Sequence, residues 1–225
     1  MEEKIRKRKI VLVGTGFVGM SFAYSLLSEK GINELILIDM NKDKAVGEQM
    51  DLSDGLPYAD SKMTIKAGDY DECKDADIVV VTAGAAQKPG QTRLELVTIN
   101  AKITKDVATQ IKNSGFNGIM VVASNPVDIM TYVAYRASGL PKEHVIGSGT
   151  ILDTARLRYN ISKRLGIAPS NVHAYIMGEH GDSSFVPWIH CYLGCKNLLE
   201  YIDEEDNLGL EDLQDIYMEV RNAAY

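Results

Sequence analysis

The sequence predicts an α/β protein built on a doubly wound parallel sheet. Short apolar runs recur at residues 10–13, 35–38, 78–81 and 119–122. They are too short for helices and do not alternate with polar residues, which is typical of parallel strands covered on both faces. Longer segments with helical spacing lie between them. Strand and helix therefore alternate, as the doubly wound class requires.

The hydrophobic pattern changes near residue 147, which indicates two domains. A helix-like segment over residues 151–165 is followed by short alternating segments around residues 172–176 and 185–188. We predict a first domain over residues 1–147 and a smaller α+β domain over residues 148–225. Helical spacing continues from Leu210 through Ala224 and no Gly, Asn or Pro stop signal follows it, so we expect the second domain to be incomplete and the chain to end within a helix.

The composition is that of an ordinary globular protein and excludes several classes. Apolar residues make up 45% of the 225 residues and charged residues 24%, which excludes a disordered or low-complexity chain. The formal net charge of −7 disfavours nucleic acid or an anionic membrane as partner, because such surfaces must be neutralised by positive charge. A small metabolite is the favoured ligand.

The cysteines and the amino terminus indicate the compartment. Cys73, Cys191 and Cys195 cannot all pair within one chain, so we expect a reducing, cytoplasmic environment. The uncharged residues 10–27 after a basic stretch resemble a signal peptide, but they contain three glycines and lack a cleavage pattern, so we reject that interpretation.

A metal site is not expected. Cys191 and Cys195 lie beside His190, but the sequence has no second cluster of metal ligands.

A glycine-rich turn follows the first predicted strand and opens a helix. Its residues are Gly14, Thr15, Gly16, Phe17, Val18 and Gly19. In this context the first glycine makes a tight turn, the second lets the backbone approach a pyrophosphate, and the third lets helix and strand pack closely. The alternative is a tight buried turn without a ligand.

Asp39 ends the second predicted strand, twenty residues beyond Gly19. A carboxylate at this place can accept hydrogen bonds from both ribose hydroxyls of a dinucleotide. It would repel a 2′-phosphate, so NAD is favoured over NADP. The alternative is a solvated strand end.

Polar residues also follow two later strands. The small residues Ala83 and Gly84 lead into a polar segment, residues 87–93, which we expect to act as a lid because loops after parallel strands face the ligand crevice. Asn125 follows the strand at residues 119–122 and could orient a nicotinamide or a substrate oxygen. A flexible exposed loop and a plain Asn-Pro turn are the alternatives.

Two motifs in the second domain offer acid-base chemistry. Asp153 and Arg156 are three residues apart, which puts carboxylate and guanidinium on one helical face. His180 stands between Gly178-Glu179 and Gly181-Asp182, and histidine titrates near neutral pH. The alternatives are a surface ion pair and an ordinary surface or core histidine.

Taken in this order, these segments resemble the NAD-dependent L-lactate and malate dehydrogenase family from Lys9 to Tyr225. The Asp-x-x-Arg at residues 153–156 and the Gly-Glu-His-Gly-Asp at residues 178–182 are its specific part. The resemblance implies a Rossmann-type NAD-binding domain, a catalytic domain, and reversible hydride transfer between NADH and pyruvate that gives L-lactate. The residues expected to bind NAD are Gly14, Gly16, Phe17, Val18, Gly19, Asp39, Ala83, Gly84 and Asn125.

The resemblance also implies roles for the polar residues. His180 is expected to give and take the proton, and Asp153 to orient it and stabilise its charged form. Arg156 is expected to bind the substrate carboxylate in a bidentate pair, Arg93 on the closing loop to polarise the carbonyl, and Asn125 to help hold the reacting centre. Relatives continue beyond the end of this chain, so an inactive nucleotide-binding module stays open as an alternative.

Gln87 bears on the choice of substrate. By resemblance, malate enzymes carry an arginine there that pairs with the second carboxylate of oxaloacetate. A neutral glutamine leaves that carboxylate unpaired, whereas the methyl group of pyruvate fits. Malate and a branched 2-oxo acid stay open as alternative substrates, since Gln87 sets the side-chain size poorly.

Two basic residues suggest regulation. Arg158 and His173 match residues with which many bacterial lactate dehydrogenases bind fructose 1,6-bisphosphate across a subunit interface. The resemblance therefore implies an allosteric homotetramer working in glycolysis and fermentation. The alternative is ordinary polar residues at a surface or an interface.

Overall fold

The chain folds into two compact units that divide between Gly147 and Ser148. A computed structural model describes residues 8–86, 90, 92–204 and 209–223. Each unit has its own sheet and its own buried core. Within these described ranges, no helix is long and apolar enough to cross a membrane.

The described residues of the first unit form a six-stranded parallel sheet. Its strands are β1 Lys9–Val13, β2 Glu34–Ile38, β3 Thr64–Ala67, β4 Ile78–Val81, β5 Ile119–Val122 and β6 Val145–Gly147. They lie in the order β3-β2-β1-β4-β5-β6, which reverses between β1 and β4, and the predicted doubly wound α/β class is confirmed. The predicted runs at residues 78–81 and 119–122 match β4 and β5, and β1 and β2 begin one residue earlier than predicted.

Helices cover both faces of this sheet. Alternate residues of β1 point to opposite faces, so that Val11 and Val13 join one core and Ile10 and Leu12 the other. The helices of this unit are α1 Phe17–Ser25, α2 Lys42–Gly55, α3 Arg93–Asn113 and α4 Val127–Ser138. The first core includes residues of α3 and α4, and the second includes residues of α1 and α2.

The second unit is an α+β arrangement around a smaller core. Its elements within the described residues are α5 Ile151–Leu165, β7 Val172–His173, β8 Tyr192–Leu193, β9 Lys196–Asn197, α6 Leu198–Glu204 and α7 Leu210–Asn222. The strands form an antiparallel sheet in the order β7-β8-β9, and Leu157, Ile161, Leu213, Ile216 and Val220 of the helices share one core.

The second unit differs from the simplest interpretation of the sequence pattern at two places. The alternating segment at residues 185–188 is not a strand: Phe185 forms one isolated bridge to Met177, and a 3-10 turn occupies Trp188–His190. Pro187, which lacks an N–H group, precedes that turn. Helix α7 ends at Asn222, because the Ala223 N–H donates to the Val220 oxygen and tightens the last turn. Ala224 and Tyr225 lie outside the described residues.

The three cysteines are free thiols. Cys73 and Cys191 are buried, and burial raises the pKa of both, to about 12 for Cys73. Cys195 is exposed in the turn between β8 and β9.

Candidate functional site

The turn after β1 has a backbone that only glycine can supply. Gly14 has a φ of +104°, in the region that side chains rarely enter. Its N–H donates to the Ile38 oxygen over 2.8 Å. A Cβ on Gly14 would lie 2.6 Å from the Ala83 nitrogen. The turn after β1 is therefore pressed against the segment that follows β4.

The other two glycines of the turn differ in their surroundings. A Cβ on Gly19 would lie 2.0 Å from the Gly14 oxygen and 2.8 Å from Oγ1 of Thr82. No atom lies within 4 Å of the corresponding point on Gly16. Phe17 and Val18, which follow it, are exposed. Gly19 thus lets α1 pack on the turn, whereas Gly16 leaves open space at the helix amino terminus.

Asp39 is fixed by the glycine turn itself. Its Oδ2 accepts hydrogen bonds from the Thr15 N–H at 2.8 Å and from the Thr15 hydroxyl at 3.0 Å. Its Oδ1 accepts from the Asn41 N–H at 2.9 Å. Burial would raise the pKa of Asp39, but the hydrogen bonds from Asn41 and Thr15 outweigh it and hold this pKa below its ordinary value of 3.8. Asp39 is therefore an ionised, oriented carboxylate.

These features fit NAD. Helix α1 has no acidic residue in its first turn, and its N-cap, Gly16, offers no side-chain oxygen to the first N–H groups. Those N–H groups and the open space at Gly16 suit a pyrophosphate. The two oxygens of Asp39 have further lone pairs besides those that accept from Thr15 and Asn41, and these lone pairs can accept hydrogen bonds from ribose hydroxyls. Thr15, which is fully buried, was missed by the sequence analysis as the link between the two motifs.

Asn100 joins the two segments that follow β4 and β5. It lies within α3 and is 3% exposed. Its Oδ1 accepts from the Ala85 N–H at 2.8 Å, and its Nδ2 donates to the Asn125 oxygen at 2.9 Å. Nearby, the Ser124 hydroxyl donates to the Ala83 oxygen at 2.7 Å. The backbone at Asn125 and the segment around Gly84 are thereby held together. A polar residue on the buried face of a helix was the available signal for Asn100.

The structure corrects the position of Arg93. It is the first residue of α3 rather than a loop residue, because Thr92 before it and Glu95 after it form a capping box that begins the helix. The Glu95 N–H donates to the Thr92 hydroxyl, and the Thr92 N–H donates to the Glu95 carboxylate. Gln87 and most of the predicted lid lie outside the described residues. For Arg93 only the backbone is described.

Asp153 is the centre of a charged cluster in the second unit. It lies in the first turn of α5 and is 8% exposed. Its Oδ2 is 2.5 Å from Nδ1 of His180, and its Oδ1 is 3.7 Å from Nη1 of Arg156. One carboxylate therefore faces both an imidazole and a guanidinium. Because Nδ1 is engaged with Asp153, Nε2 is the ring nitrogen through which His180 would exchange a proton with a ligand.

Two threonines at the start of α5, the N-cap Thr150 and the helical Thr154, fix the strand-like segment that leads to His180. The Thr150 hydroxyl donates to the Ile176 oxygen at 2.6 Å, and the Ile176 N–H donates to the Thr154 hydroxyl at 3.0 Å. Gly178 then turns with a φ of +95°. The same helix that carries Asp153 thus anchors the chain just before His180. Neither threonine was identified from the sequence.

The two predicted regulatory residues lie on neighbouring elements. Arg158 is on α5, its Nε donates to the Ala174 oxygen at 3.0 Å, and its guanidinium lies 4.7 Å from the ring centre of Tyr175. His173 is exposed on β7, next to Ala174 in sequence. Within the described ranges, no group of three or more histidine, cysteine or acidic side chains is arranged to hold a metal ion.

Two family models match almost the whole chain. The model described as lactate/malate dehydrogenase, NAD binding domain, matches residues 8–147. The model described as lactate/malate dehydrogenase, alpha/beta C-terminal domain, matches residues 150–225.

Curated proteins and solved structures agree with these models. The chain is 53% identical to L-lactate dehydrogenase 2 of Lactococcus lactis subsp. lactis over 222 residues, which are 99% of this chain and 71% of that protein. A lactate dehydrogenase from a Medee basin deep-sea metagenome library is 56% identical, with a TM-score of 0.94 over 98% of this chain and 70% of its own. The minor L-lactate dehydrogenase of Enterococcus mundtii, in a ligands-bound form, is 49% identical, with a TM-score of 0.94 over the same two shares.

Asp39 leads to a prediction about stability and pH. We expect Asp39→Asn to lower the free energy of unfolding at pH 7 by about 1 kcal/mol, because hydrogen bonds to a charged acceptor are weakened. A lowered pKa in the folded state contributes stability that is fully present above about pH 4 and is lost as the pH falls through the folded value. Urea unfolding should therefore show a difference between the two proteins that is constant above pH 5 and shrinks in acid.

The exposed Asp51 on α2 provides the control. Asp51→Asn should leave the free energy of unfolding nearly unchanged at every pH. An Asp39→Asn difference that grew in acid would contradict the assignment.

Proposed function

The chain belongs to the lactate/malate dehydrogenase family, and we propose that it interconverts pyruvate and L-lactate with NAD as cofactor. The observation that carries the proposal is the Asp153 carboxylate, which faces both His180 and Arg156. The relatives named L-lactate dehydrogenase support the choice of reaction. The oriented Asp39 carboxylate supports NAD as the dinucleotide.

His180 is the proposed acid and base. When bound, NADH supplies the hydride that reaches the carbonyl carbon, and the carbonyl oxygen must then receive a proton. His180 would donate that proton from Nε2 while Asp153 holds the opposite nitrogen. A cationic imidazole is costly to bury without a partner, and the carboxylate 2.5 Å away offsets that cost. In the reverse direction the same nitrogen takes the proton from lactate.

Arg156 is the proposed ligand of the substrate carboxylate. Its nearest contact with Asp153 is 3.7 Å, which is longer than a good charge-assisted hydrogen bond. The planar guanidinium therefore keeps donors for a bidentate pair with a carboxylate. Asp153 stabilises its charge and its side-chain position. Arg93 would polarise the carbonyl, and Asn125, whose backbone Asn100 fixes, would help hold the reacting centre.

The glycine turn and Asp39 are the proposed cofactor site. Gly16 and the first N–H groups of α1, at Phe17 and Val18, would face the pyrophosphate. Asp39 would accept the ribose hydroxyl protons and reject a 2′-phosphate by charge repulsion. Ala83, Gly84 and Asn125 would extend the site along the ends of β4 and β5.

Gln87 supports pyruvate over oxaloacetate as substrate. A neutral amide gives the second carboxylate of oxaloacetate no cationic partner, and an unpaired buried charge is costly. The methyl group of pyruvate makes no such demand. A branched 2-oxo acid is the second candidate substrate, because the Gln87 amide disfavours a charged substrate side chain but sets little limit on its size.

The second unit also carries a proposed effector site, and the free thiols bear on the cellular compartment. Arg158 and His173 would bind the phosphates of fructose 1,6-bisphosphate, and Arg158 is already oriented by its bond to the Ala174 oxygen. The assembly would be a homotetramer, by resemblance to the family. The exposed free thiol of Cys195 supports the cytoplasm, where pyruvate reduction regenerates NAD for glycolysis and fermentation.

His180→Asn tests the acid-base assignment. We expect kcat for pyruvate reduction to fall by about 10²- to 10⁴-fold or more, because the proton donor is lost. NADH binding, measured by fluorescence titration, should stay near its original strength because the glycine turn and Asp39 are unchanged. His190→Asn, at an exposed histidine of the same unit, is the control and should leave both quantities unchanged. Equal loss of turnover and NADH binding in His180→Asn would overturn the assignment.

Arg158→Gln tests the effector site. Fructose 1,6-bisphosphate should lower the pyruvate concentration needed for half-maximal rate in the native protein and have no such effect in the variant. Unactivated turnover should be retained. Lys163→Gln, an exposed residue on the same helix, should keep the response. A full response in Arg158→Gln would exclude this site.

Gln87→Arg tests substrate choice. The new guanidinium would pair with the second carboxylate of oxaloacetate and lack a partner when pyruvate is bound, and these effects act in the same direction. We expect the ratio of kcat/KM for oxaloacetate over pyruvate to rise by at least roughly a hundredfold. Gln87→Met, neutral and of similar length, should not raise it. A ratio within about threefold of the native value would mean that residue 87 does not face the substrate side chain.

A further inference from the structure

Helix α7 contacts the loop that carries His180, which we define as residues 178–185 and call the histidine loop. The Tyr217 hydroxyl donates to the backbone oxygen of Ser184. The Ser184 hydroxyl is 3.1 Å from the same phenol oxygen and can donate to it. One helical turn later, Nη2 of Arg221 lies 3.3 Å from Oδ1 of Asp182. Tyr217 and Arg221 therefore hold the loop from the same face of α7.

The phenol oxygen of Tyr217 has a fixed position because α7 is well packed. Leu213, Ile216 and Val220 are at most 3% exposed and lie in the core of the second unit. The half-buried ring of Tyr217 packs against that core. Because the helix and the ring pack against this core, the Tyr217 hydroxyl is a well-defined attachment point for the loop.

Ser184 transmits this attachment towards His180. Its N–H donates to the Gly181 oxygen at 3.2 Å, which closes a tight turn at the tip of the histidine loop. The Ser183 hydroxyl donates to the Glu179 carboxylate at 2.8 Å across the same turn. Ser184 is therefore linked through the backbone to Gly181, the residue that follows His180 in the chain.

The base of the loop is held independently. Met177 and Phe185 exchange two backbone hydrogen bonds of 2.9 Å each. Asp153 on α5 holds the imidazole itself at Nδ1. His180 is thus restrained from α5 by its side chain and from α7 by its loop. The Arg221 contact is the weaker of the two from α7, because Asp182 is 75% exposed and surface ion pairs contribute little.

We propose that Tyr217 is a positioning residue for His180 and acts through Ser184. This inference rests on the proposed function, in which His180 exchanges a proton with the substrate. Proton transfer requires hydrogen-bond geometry at Nε2, and a displacement of about 1 Å can cost as much as a hundredfold in rate. In the proposed mechanism the ligands are held by other residues, so we expect the effect of Tyr217 to appear in the chemical step and not in binding.

Tyr217→Phe removes only the hydroxyl and keeps the packed ring. We expect kcat for pyruvate reduction to fall by about tenfold, with KM for pyruvate and for NADH within about twofold of the native values. Ser184→Ala should give a smaller fall, since the backbone oxygen of Ser184 still accepts from Tyr217. Tyr159→Phe makes the same chemical change at an exposed tyrosine of α5 and should leave kcat unchanged.

A second measurement does not depend on turnover. The proton shared by His180 and Asp153 over 2.5 Å should give a strongly deshielded proton resonance in the native protein. Tyr217→Phe should shift or broaden that resonance, whereas Tyr159→Phe should not. Thermal unfolding followed by circular dichroism checks that each variant is folded. Should Tyr217→Phe fail to fold, Ser184→Ala carries the same two measurements.

The outcomes separate this inference from the proposed function. Absence of pyruvate turnover in the native protein would overturn the proposed function. The positioning role of Tyr217 would then be decided by the proton resonance of the His180–Asp153 hydrogen bond, compared between the native protein and Tyr217→Phe. An unchanged resonance in folded Tyr217→Phe would overturn the positioning role. So would an unchanged kcat, even if the melting temperature fell, because Tyr217 would then be purely structural.

Discussion

The nucleotide half of the molecule depends on how closely three backbone segments approach one another where the strand order reverses. Gly14 contacts the segment after β4 on one side and accepts the Thr82 hydroxyl, while its N–H reaches the end of β2. A side chain at Gly14 would force these strands apart, since its Cβ would overlap backbone atoms that cannot rotate away. The tight turn sets the start of α1, the place of Thr15 and hence the direction of Asp39. The close packing at Gly14 therefore determines both the arrangement of these strand ends and the geometry of the nucleotide site.

The second unit is organised around the buried carboxylate of Asp153. A carboxylate that is 8% exposed needs a charged or hydrogen-bonding partner, and Asp153 has two. Its position in the first turn of α5 is also favoured by the positive end of the helix dipole. Once Asp153 is placed, the two threonines on either side of it fix Ile176, and the chain from Ile176 to Gly178 delivers the histidine. The acid-base pair is thus built from one helix and one anchored loop.

The elements that could be predicted from the sequence are those whose residue pattern fits one kind of secondary structure. Strands β1, β2, β4 and β5 each contain four consecutive apolar residues, and α5 is followed by Gly166 in a left-handed conformation, so their patterns are clear. The edge strand β3 alternates over four residues and β6 has three, and both are too short to stand out from loops. In the site, the glycine turn and Asp39 could be predicted because their chemistry depends on spacing along the chain. Thr15, Asn100 and Tyr217 could not, because each acts through a partner that only the folded chain brings near.

The different surroundings of the three glycines separate two kinds of requirement within six residues. Gly14 and Gly19 are required by the fold, since a methyl group at either would collide with backbone or with Thr82 whether or not a dinucleotide is bound. At Gly16 a methyl group would project into empty space, so the folded chain alone would accept alanine there. A population of variants selected only for being folded would keep the outer glycines and lose the middle one. Retention of all three would reveal that the chain had been selected for what it holds as well as for its shape.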